Sequence, residues 1–300
     1  MTNVENKLLF ILNPISGGID KAQFKEQLHA LCLEKLLEYE VLETTGDADE
    51  KQIKAKIKAW KPTTVVACGG DGTINLVGQV MLGSKIPMGI IPLGSANGMA
   101  TELLITKDLQ QNINVLLDGK RIEMDVIEIN KKHLCFHLAD IGFNARLIQE
   151  FDNVEGRGKL TYAWSFAKTI LQKQGVRCRI KLPHREFKET IEMITFANAT
   201  KYGTGALVNP TGKIDDGKYE ICIFEPHPRW KLPYLTWLFF SGHLNSSKHV
   251  DIISTTETVV SLSRPQALQV DGEVIGEVMK VEARLHAKKL PLLVPKEYMA

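Results

Sequence analysis

The stretch Val65–Val77, VVACGGDGTINLV, runs from an apolar β-branched segment into three glycines around a single acid, Asp71. Read alone it is a strand, a tight loop and the first turn of a helix beginning near Thr73. That reading leaves open whether Gly69-Gly70-Asp71-Gly72-Thr73 holds a phosphate, or whether Asp71 only caps the helix that follows.

Working outward, the first 120 or so residues alternate short β-branched runs (LLFIL, YEVLET, TTVVAC, MGIIP) with amphipathic helical stretches, Phe24 to Leu37 and Ile53 to Trp60. Repeated βα units predict a mostly parallel sheet covered by helices, with ligands beyond the carboxyl ends of the strands. The unusual loops fall there: Asn13-Pro14-Ile15-Ser16-Gly17-Gly18, Gly69 to Thr73, and Pro92-Leu93-Gly94-Ser95-Ala96-Asn97-Gly98. From about Arg121 strands dominate (IEMDVIEI, HLCFHLAD, VRCRIKLP, TIEMITFANA, KYEICIF, TVVSLS, ALQVDGE, VMKVEARL), with a helix at Leu160 to Gln172. The fold class is therefore α/β: an N-terminal parallel-sheet domain over residues 1–125 and a mainly antiparallel β-sandwich domain over 126–287. With no Ser- or Pro-rich linker, the two are expected to pack closely around a cleft.

Composition narrows the function classes. Apolar residues make up 44% and charged residues 24% of the 300, as in a folded globular protein. A net charge of +2 argues against a nucleic-acid partner. Cys32, Cys68, Cys135, Cys178 and Cys222 are scattered and odd in number, and read as reduced core thiols. No pair of the eight histidines has metal-ligand spacing, so His133 and His137 read as structural. The N-terminus is unlike a signal peptide, and the longest apolar stretch, Leu232 to Phe240, holds a proline and is far short of the roughly 20 residues that span a bilayer. A cytoplasmic location is expected.

Three glycine-bearing loops at corresponding strand ends suit a polyphosphate, because glycine admits close approach of backbone N–H groups to oxygen. Taken singly, NPISGG is a connecting turn. No GxxxxGK[ST], HRD or DFG occurs, and Gly70 to Asn75 fails GxGxxG at its last position. An acid such as Asp71 beside phosphate would repel it unless a cation intervenes, which points to Mg²⁺. Two further Asp-Gly pairs, Asp216-Gly217 and Asp271-Gly272, read as hairpin turns, each with an extra acid, Asp215 and Glu273. Asp215-Asp216 is an oxygen-rich pair suited to a hard cation, and Glu273 stands at a loop tip.

NPISGG, GGDGTINLV, IPLGSANGMA, GFNA, FANATKYGTGALVNPTGKIDDGKYEICIF and VDGE, in this order, resemble the diacylglycerol kinase and sphingosine kinase family in its compact bacterial form, from about residue 7 to 295. The resemblance implies ATP bound between an α/β domain and a β-sandwich substrate domain, with the C-terminal segment, about 288–300, returning to the first. It implies that Asn13, Ser16, Gly70, Gly72 and Thr73 line the nucleotide site with Thr45 near it, the neighbouring Gly17, Gly69, Gly94, Ser95 and Asn97 completing the loops. It makes Asp71 part of a metal and catalytic network and Glu273 the general base. It sets Asp216, with the backbone carbonyls of Lys213 and Lys218, at a structural magnesium site. The implied reaction is transfer of the ATP γ-phosphoryl group to a lipid hydroxyl.

One position departs from the family. Bacterial diacylglycerol kinases usually carry an aspartate where Gly98 follows Asn97, and GSANGMA is closer to the GSGNALA of sphingosine kinases, which brings in a sphingoid base as acceptor. The motifs also admit an NAD-kinase-like small-molecule kinase and a catalytically inactive nucleotide or lipid binder. A lipid substrate implies transient contact with a membrane surface, through Arg229 to Phe240 (RWKLPYLTWLFF) or the basic tract around Lys168, Lys173, Arg177 and Arg179, although core packing and a solvated face also account for them. The sequence also allows a homodimer.

Overall fold

The computed structural model describes residues 6–18, 20–142, 145, 175–203, 205–231, 234, 237–238, 241–244 and 247–298. The expected helix Leu160–Gln172, with Lys168 and Lys173, and Phe143 and Asn144 of GFNA, lie outside the described residues. Two compact units form, residues 1–124 with 287–300, and residues 125–286.

The first unit runs β1 (Lys7–Leu12), α1 (Lys21–Glu34), β2 (Glu38–Glu43), α2 (Asp49–Trp60), β3 (Thr64–Gly69) and α3 (Asp71–Met81). It continues with β4 (Met88–Pro92), α4 (Gly98–Glu102), α5 (Leu109–Asp118) and β5 (Lys120–Met124). Every residue of β3 is buried, as an interior strand covered on both faces requires. Phe24, Leu28 and Cys32, four residues apart along α1, pack with Phe10, Leu12, Val66 and Cys68 into one core. Asp20 caps α1 by accepting from the Ala22 and Gln23 N–H groups. The helix stops at Glu34, short of the expected Leu37, because Leu36 turns left-handed and the Leu37 N–H folds back to the Cys32 carbonyl.

The second unit holds β6 (Ile127–Ile129), β7 (His133–Cys135), β8 (Leu138–Gly142), β9 (Val176–Leu182), β10 (Arg185–Ile191) and β11 (Met193–Ala197). β12 (Tyr219–Phe224), β13 (Val250–Thr255), β14 (Glu257–Val270) and β15 (Glu273–Leu285) complete it. Its strands pair antiparallel throughout. β14 pairs through its first half with β9 and through its last residues with β8, with register shifts between Ser261 and Gln266 and between Leu268 and Gln269. Ile141, Ile180, Ile194, Phe196, Ile221, Val260, Leu268 and Val281 meet in one core.

The last strand, β16 (Leu290–Val294), belongs to the first unit, whose sheet order is β2-β1-β3-β4-β16-β5. It runs parallel to β4 and antiparallel to β5. The run IEMDVIEI reads as one strand in sequence but divides at Asp125, β5 joining the first sheet and β6 the second. All five cysteines are buried and free.

Candidate active site

Four neighbouring parallel strands end level with one another, since Leu12 pairs with both Glu43 and Cys68, and Gly69 with Pro92. The loops that follow are tied together by backbone bonds: Thr44 N–H to the Leu12 carbonyl (2.9 Å), Asn13 N–H to Cys68 (3.0 Å) and Leu93 N–H to Gly69 (2.9 Å).

Glycine is required where these loops touch. A methyl group on Gly94 would lie 2.5 Å from the Gly70 Cα, and one on Gly17, whose φ is +58°, would lie 2.1 Å from the Leu93 carbonyl oxygen. On Gly69 it would strike the Thr73 hydroxyl at 2.2 Å. Gly72, in the first turn of α3, faces open space. Asn13 bridges two loops, its Nδ2 donating to Thr73 Oγ1 (3.2 Å) and its Oδ1 accepting from Ile15 N–H (3.1 Å). The Ser16 hydroxyl donates to the Asn13 carbonyl (2.9 Å), and Lys21 Nζ to the Ser16 carbonyl (2.5 Å). Asn97, left-handed at φ +53°, closes the third loop by exchanging two bonds with Gly94 (2.9 and 2.7 Å), leaving Ser95 exposed at its tip. Thr45, beyond β2, is held by Asp49, whose carboxylate accepts from the Thr45 N–H (2.8 Å) and hydroxyl (3.2 Å). These bonds, the Thr45 N–H first, hold the Asp49 carboxyl below its ordinary range.

Asp71 does not cap its own helix. α3 begins at Asp71 itself, and its cap, Gly70, contributes no side-chain bond. The carboxylate instead reaches α4, accepting from the N–H groups of Gly98 (3.0 Å) and Met99 (3.1 Å). The α4 cap, Asn97, spends its side chain on Gly94, so Asp71 satisfies the orphan donors of a helix distant in sequence.

In the second unit the loop Lys213–Lys218 is anchored by Asp125, whose N–H donates to the Ile214 carbonyl (2.7 Å) and whose Oδ2 accepts from Gly217 N–H (2.7 Å). Asp216-Gly217 is not a tight hairpin turn, because β11, the antiparallel partner that precedes β12, ends far back at Ala197 and no strand ends at Asp215. Asp216 is exposed, its Oδ1 accepting from Lys218 N–H (3.0 Å). Among the described residues no three His, Cys, Asp or Glu gather as a metal cluster. The all-oxygen donors here, one carboxylate and main-chain carbonyls, nevertheless suit a hard cation such as Mg²⁺.

Asp271-Gly272 does form the β14–β15 hairpin, with φ of +49° and +90°, as a two-residue primed turn requires. The Asp271 carboxylate accepts from the N–H groups of Phe136 (2.8 Å), His137 (2.9 Å) and Leu138 (3.1 Å). Burial raises its pKa against the opposing pull of those bonds. Glu273 is exposed at the start of β15. A buried network supports this turn from behind. The fully buried Asp140 accepts from Thr195 (2.5 Å), Tyr202 (2.7 Å) and Gln269 (2.5 Å), and Gln269 Oε1 accepts from Gly272 N–H (2.7 Å). Sequence reasoning missed this network, since its members lie on β8, β11, β14 and a loop and show no local spacing.

Asp71 and the glycine loops thus belong to the first unit, and Glu273 and the Lys213–Lys218 loop to the second. The first unit is thus an α/β domain whose parallel strands end in glycine-bearing loops, and the second an antiparallel β domain with an acid-bearing hairpin, the arrangement expected of a phosphotransferase. The diacylglycerol kinase catalytic domain matches residues 7–129, and the YegS C-terminal NAD kinase beta sandwich-like domain matches 138–294. The chain belongs to the diacylglycerol kinase family of lipid kinases. A probable lipid kinase YegS-like protein of Yersinia enterocolitica is 26% identical, over 80% of this chain and 82% of its own. The probable lipid kinase YegS of Escherichia fergusonii is 29% identical over 72% and 73%. Among solved structures, a putative diacylglycerol kinase from Bacillus anthracis superposes with a TM-score of 0.76 at 16% identity, covering 96% of this chain and 97% of that one. An NAD kinase from Archaeoglobus fulgidus, in complex with ATP, gives 0.55 at 9%, covering 97% and 94%.

Proposed function

We propose that this lipid kinase transfers the γ-phosphoryl group of ATP to the hydroxyl of diacylglycerol. The reading is supported by the close approach of the Gly94 and Gly70 backbones, which leaves no room for a side chain on Gly94, at the strand ends where a phosphate cradle is expected. In the reaction the acceptor oxygen bonds to the γ-phosphorus, the bond to the β–γ bridging oxygen breaks, and ADP leaves. The hydroxyl proton passes to the Glu273 carboxylate, late in a loose transition state. Asn13, Ser16, Gly17, Gly69, Gly72, Thr73 and Ser95 hold the nucleotide, with Thr45 at the neighbouring strand end.

Asp71 would hold the Mg²⁺ that accompanies the nucleotide, and Asp216 with the carbonyls of Lys213 and Lys218 a structural one. Bound magnesium supplies charge neutralisation between phosphate and carboxylate. Gly98, standing where bacterial diacylglycerol kinases usually carry an aspartate, favours a sphingoid base as the second reading.

The experiment is incubation with labelled ATP, Mg²⁺ and mixed micelles of diacylglycerol, monoacylglycerol, ceramide or sphingosine. Labelled phosphatidic acid is expected. Label in sphingosine alone would replace the first reading by the second, and ATP binding without transfer to any lipid would overturn both.

A further inference from the structure

Among the described residues between β12 and β13, some apolar side chains are buried and others exposed. Leu238 and Leu244 are buried against Leu138, Met193 and Val208 in the second unit. Trp230, Tyr234 and Trp237 are 77%, 51% and 57% exposed. They are the exposed large aromatics among the described residues; the other exposed large apolar side chains are aliphatic or Met279 and lie elsewhere in the chain. The exposed rings are ordered against one another, Tyr234 stacking on Trp237 (centroids 6.2 Å) and Trp237 on His243 (6.0 Å). Lys231 Nζ sits 5.5 Å above the Trp230 ring and 3.0 Å from His249 Nε2. Core packing therefore explains Leu238 and Leu244 and leaves Trp230, Tyr234 and Trp237 unexplained.

Charge identifies what covers them. From Pro226 to Val250 the sequence contains no aspartate or glutamate, in a chain with 35, while it contains Arg229, Lys231, Lys248 and three histidines. Of the adjoining acids, Glu192 and Glu225 are engaged by His227 and His249, and Asp251, at the start of β13, is exposed. Tryptophan and tyrosine favour the boundary between headgroups and acyl chains, where an apolar ring and a polar edge are both accommodated, and lysines favour an anionic surface.

We propose that Trp230, Tyr234, Trp237 and His243, with Lys231 and Lys248, form the face by which the protein docks on an anionic lipid bilayer. The proposal rests on the lipid-kinase reading for the purpose of docking, and is tested apart from it. Wild-type protein is mixed with substrate-free vesicles of phosphatidylcholine, or of phosphatidylcholine with phosphatidylglycerol, carrying brominated acyl chains. Tryptophan quenching and co-sedimentation are expected with the anionic vesicles. Trp230→Phe/Trp237→Phe retains only Trp60 and Trp164 and should lose the quenching. Trp230→Ser/Trp237→Ser should lower partitioning about tenfold, and Lys231→Glu/Lys248→Glu about fivefold per charge. None of these variants should change kcat on a monomeric short-chain diacylglycerol, while KM for vesicle-borne lipid rises. Undiminished binding by both the serine and the charge variants overturns the proposal. So does a wild-type dimer that the serine variant dissociates, which would assign the face to a second copy of this chain. Failure to phosphorylate any lipid, with patch-dependent vesicle binding intact, would overturn the kinase reading and leave the docking face standing.

Discussion

Asp71 and Gly98 are 27 residues apart in the chain and joined by one 3.0 Å hydrogen bond, from the Gly98 N–H to the Asp71 carboxylate. With the second bond, from Met99, one acid fixes the third loop relative to the second. Asp71→Asn keeps one acceptor oxygen and should cost about 1 kcal/mol of stability. Turnover should fall about 100-fold or more, as for other losses of electrostatic stabilisation at a reacting phosphate. Thermal unfolding and a diacylglycerol phosphorylation assay separate the two effects.

The glycines of these loops should divide into two classes. Gly94→Ala forces its methyl against the Gly70 backbone and should destabilise by about 1–3 kcal/mol. Gly72→Ala meets nothing in the protein and lies in a helix, so stability should hold or rise by up to about 1 kcal/mol while ATP affinity falls. Calorimetric titration with ATP, beside chemical denaturation, tests the contrast.

Glu220 is buried, and burial raises its carboxyl above the ordinary 4.5 despite the bond from Asn209 Nδ2 (2.6 Å). Between 4.5 and the raised folded value the native state holds a proton that the unfolded chain has released. Its contribution to stability is therefore fullest below pH 4.5 and diminishes as pH rises through the folded value. Glu220→Gln should flatten that part of the stability profile, read by urea unfolding at a series of pH values.

Magnesium should raise the melting temperature of the wild type, and chelation should reverse it. Asp216→Ala should abolish most of the shift, whereas Asp215→Ala should leave it largely intact. An equal shift in all three proteins would remove Asp216 as a ligand.

The Asp140 network predicts a long-range effect on the hairpin. Asp140→Ala removes the acceptor shared by Thr195, Tyr202 and Gln269 and should cost about 3 kcal/mol. Gln269→Leu leaves the Gly272 N–H without that partner, so kcat should fall with little change in KM for ATP. A change confined to KM would argue that the network supports only packing.

The local alphabet of this chain was enough to determine much of its fold. Period and β-branching marked β1 to β4, glycine marked the loops, and Asp271-Gly272 marked the hairpin, because each is a preference of a few adjacent residues for particular backbone angles. Membership of the lipid-kinase family was legible too, since its motifs are short and ordered along the chain. Tertiary structure decided what depends on partners distant in sequence. The run IEMDVIEI carries no local sign that it breaks at Asp125, because the break is set by which sheet offers a free edge. The sequence left open whether Asp71 caps its own helix, and the fold instead brings the Gly98 and Met99 donors to it. Asp140 and Gln269, 129 residues apart, have no common pattern at all. Nor does sequence separate Leu238 from Trp237: both are apolar neighbours, and only the packed core decides which is buried and which faces out.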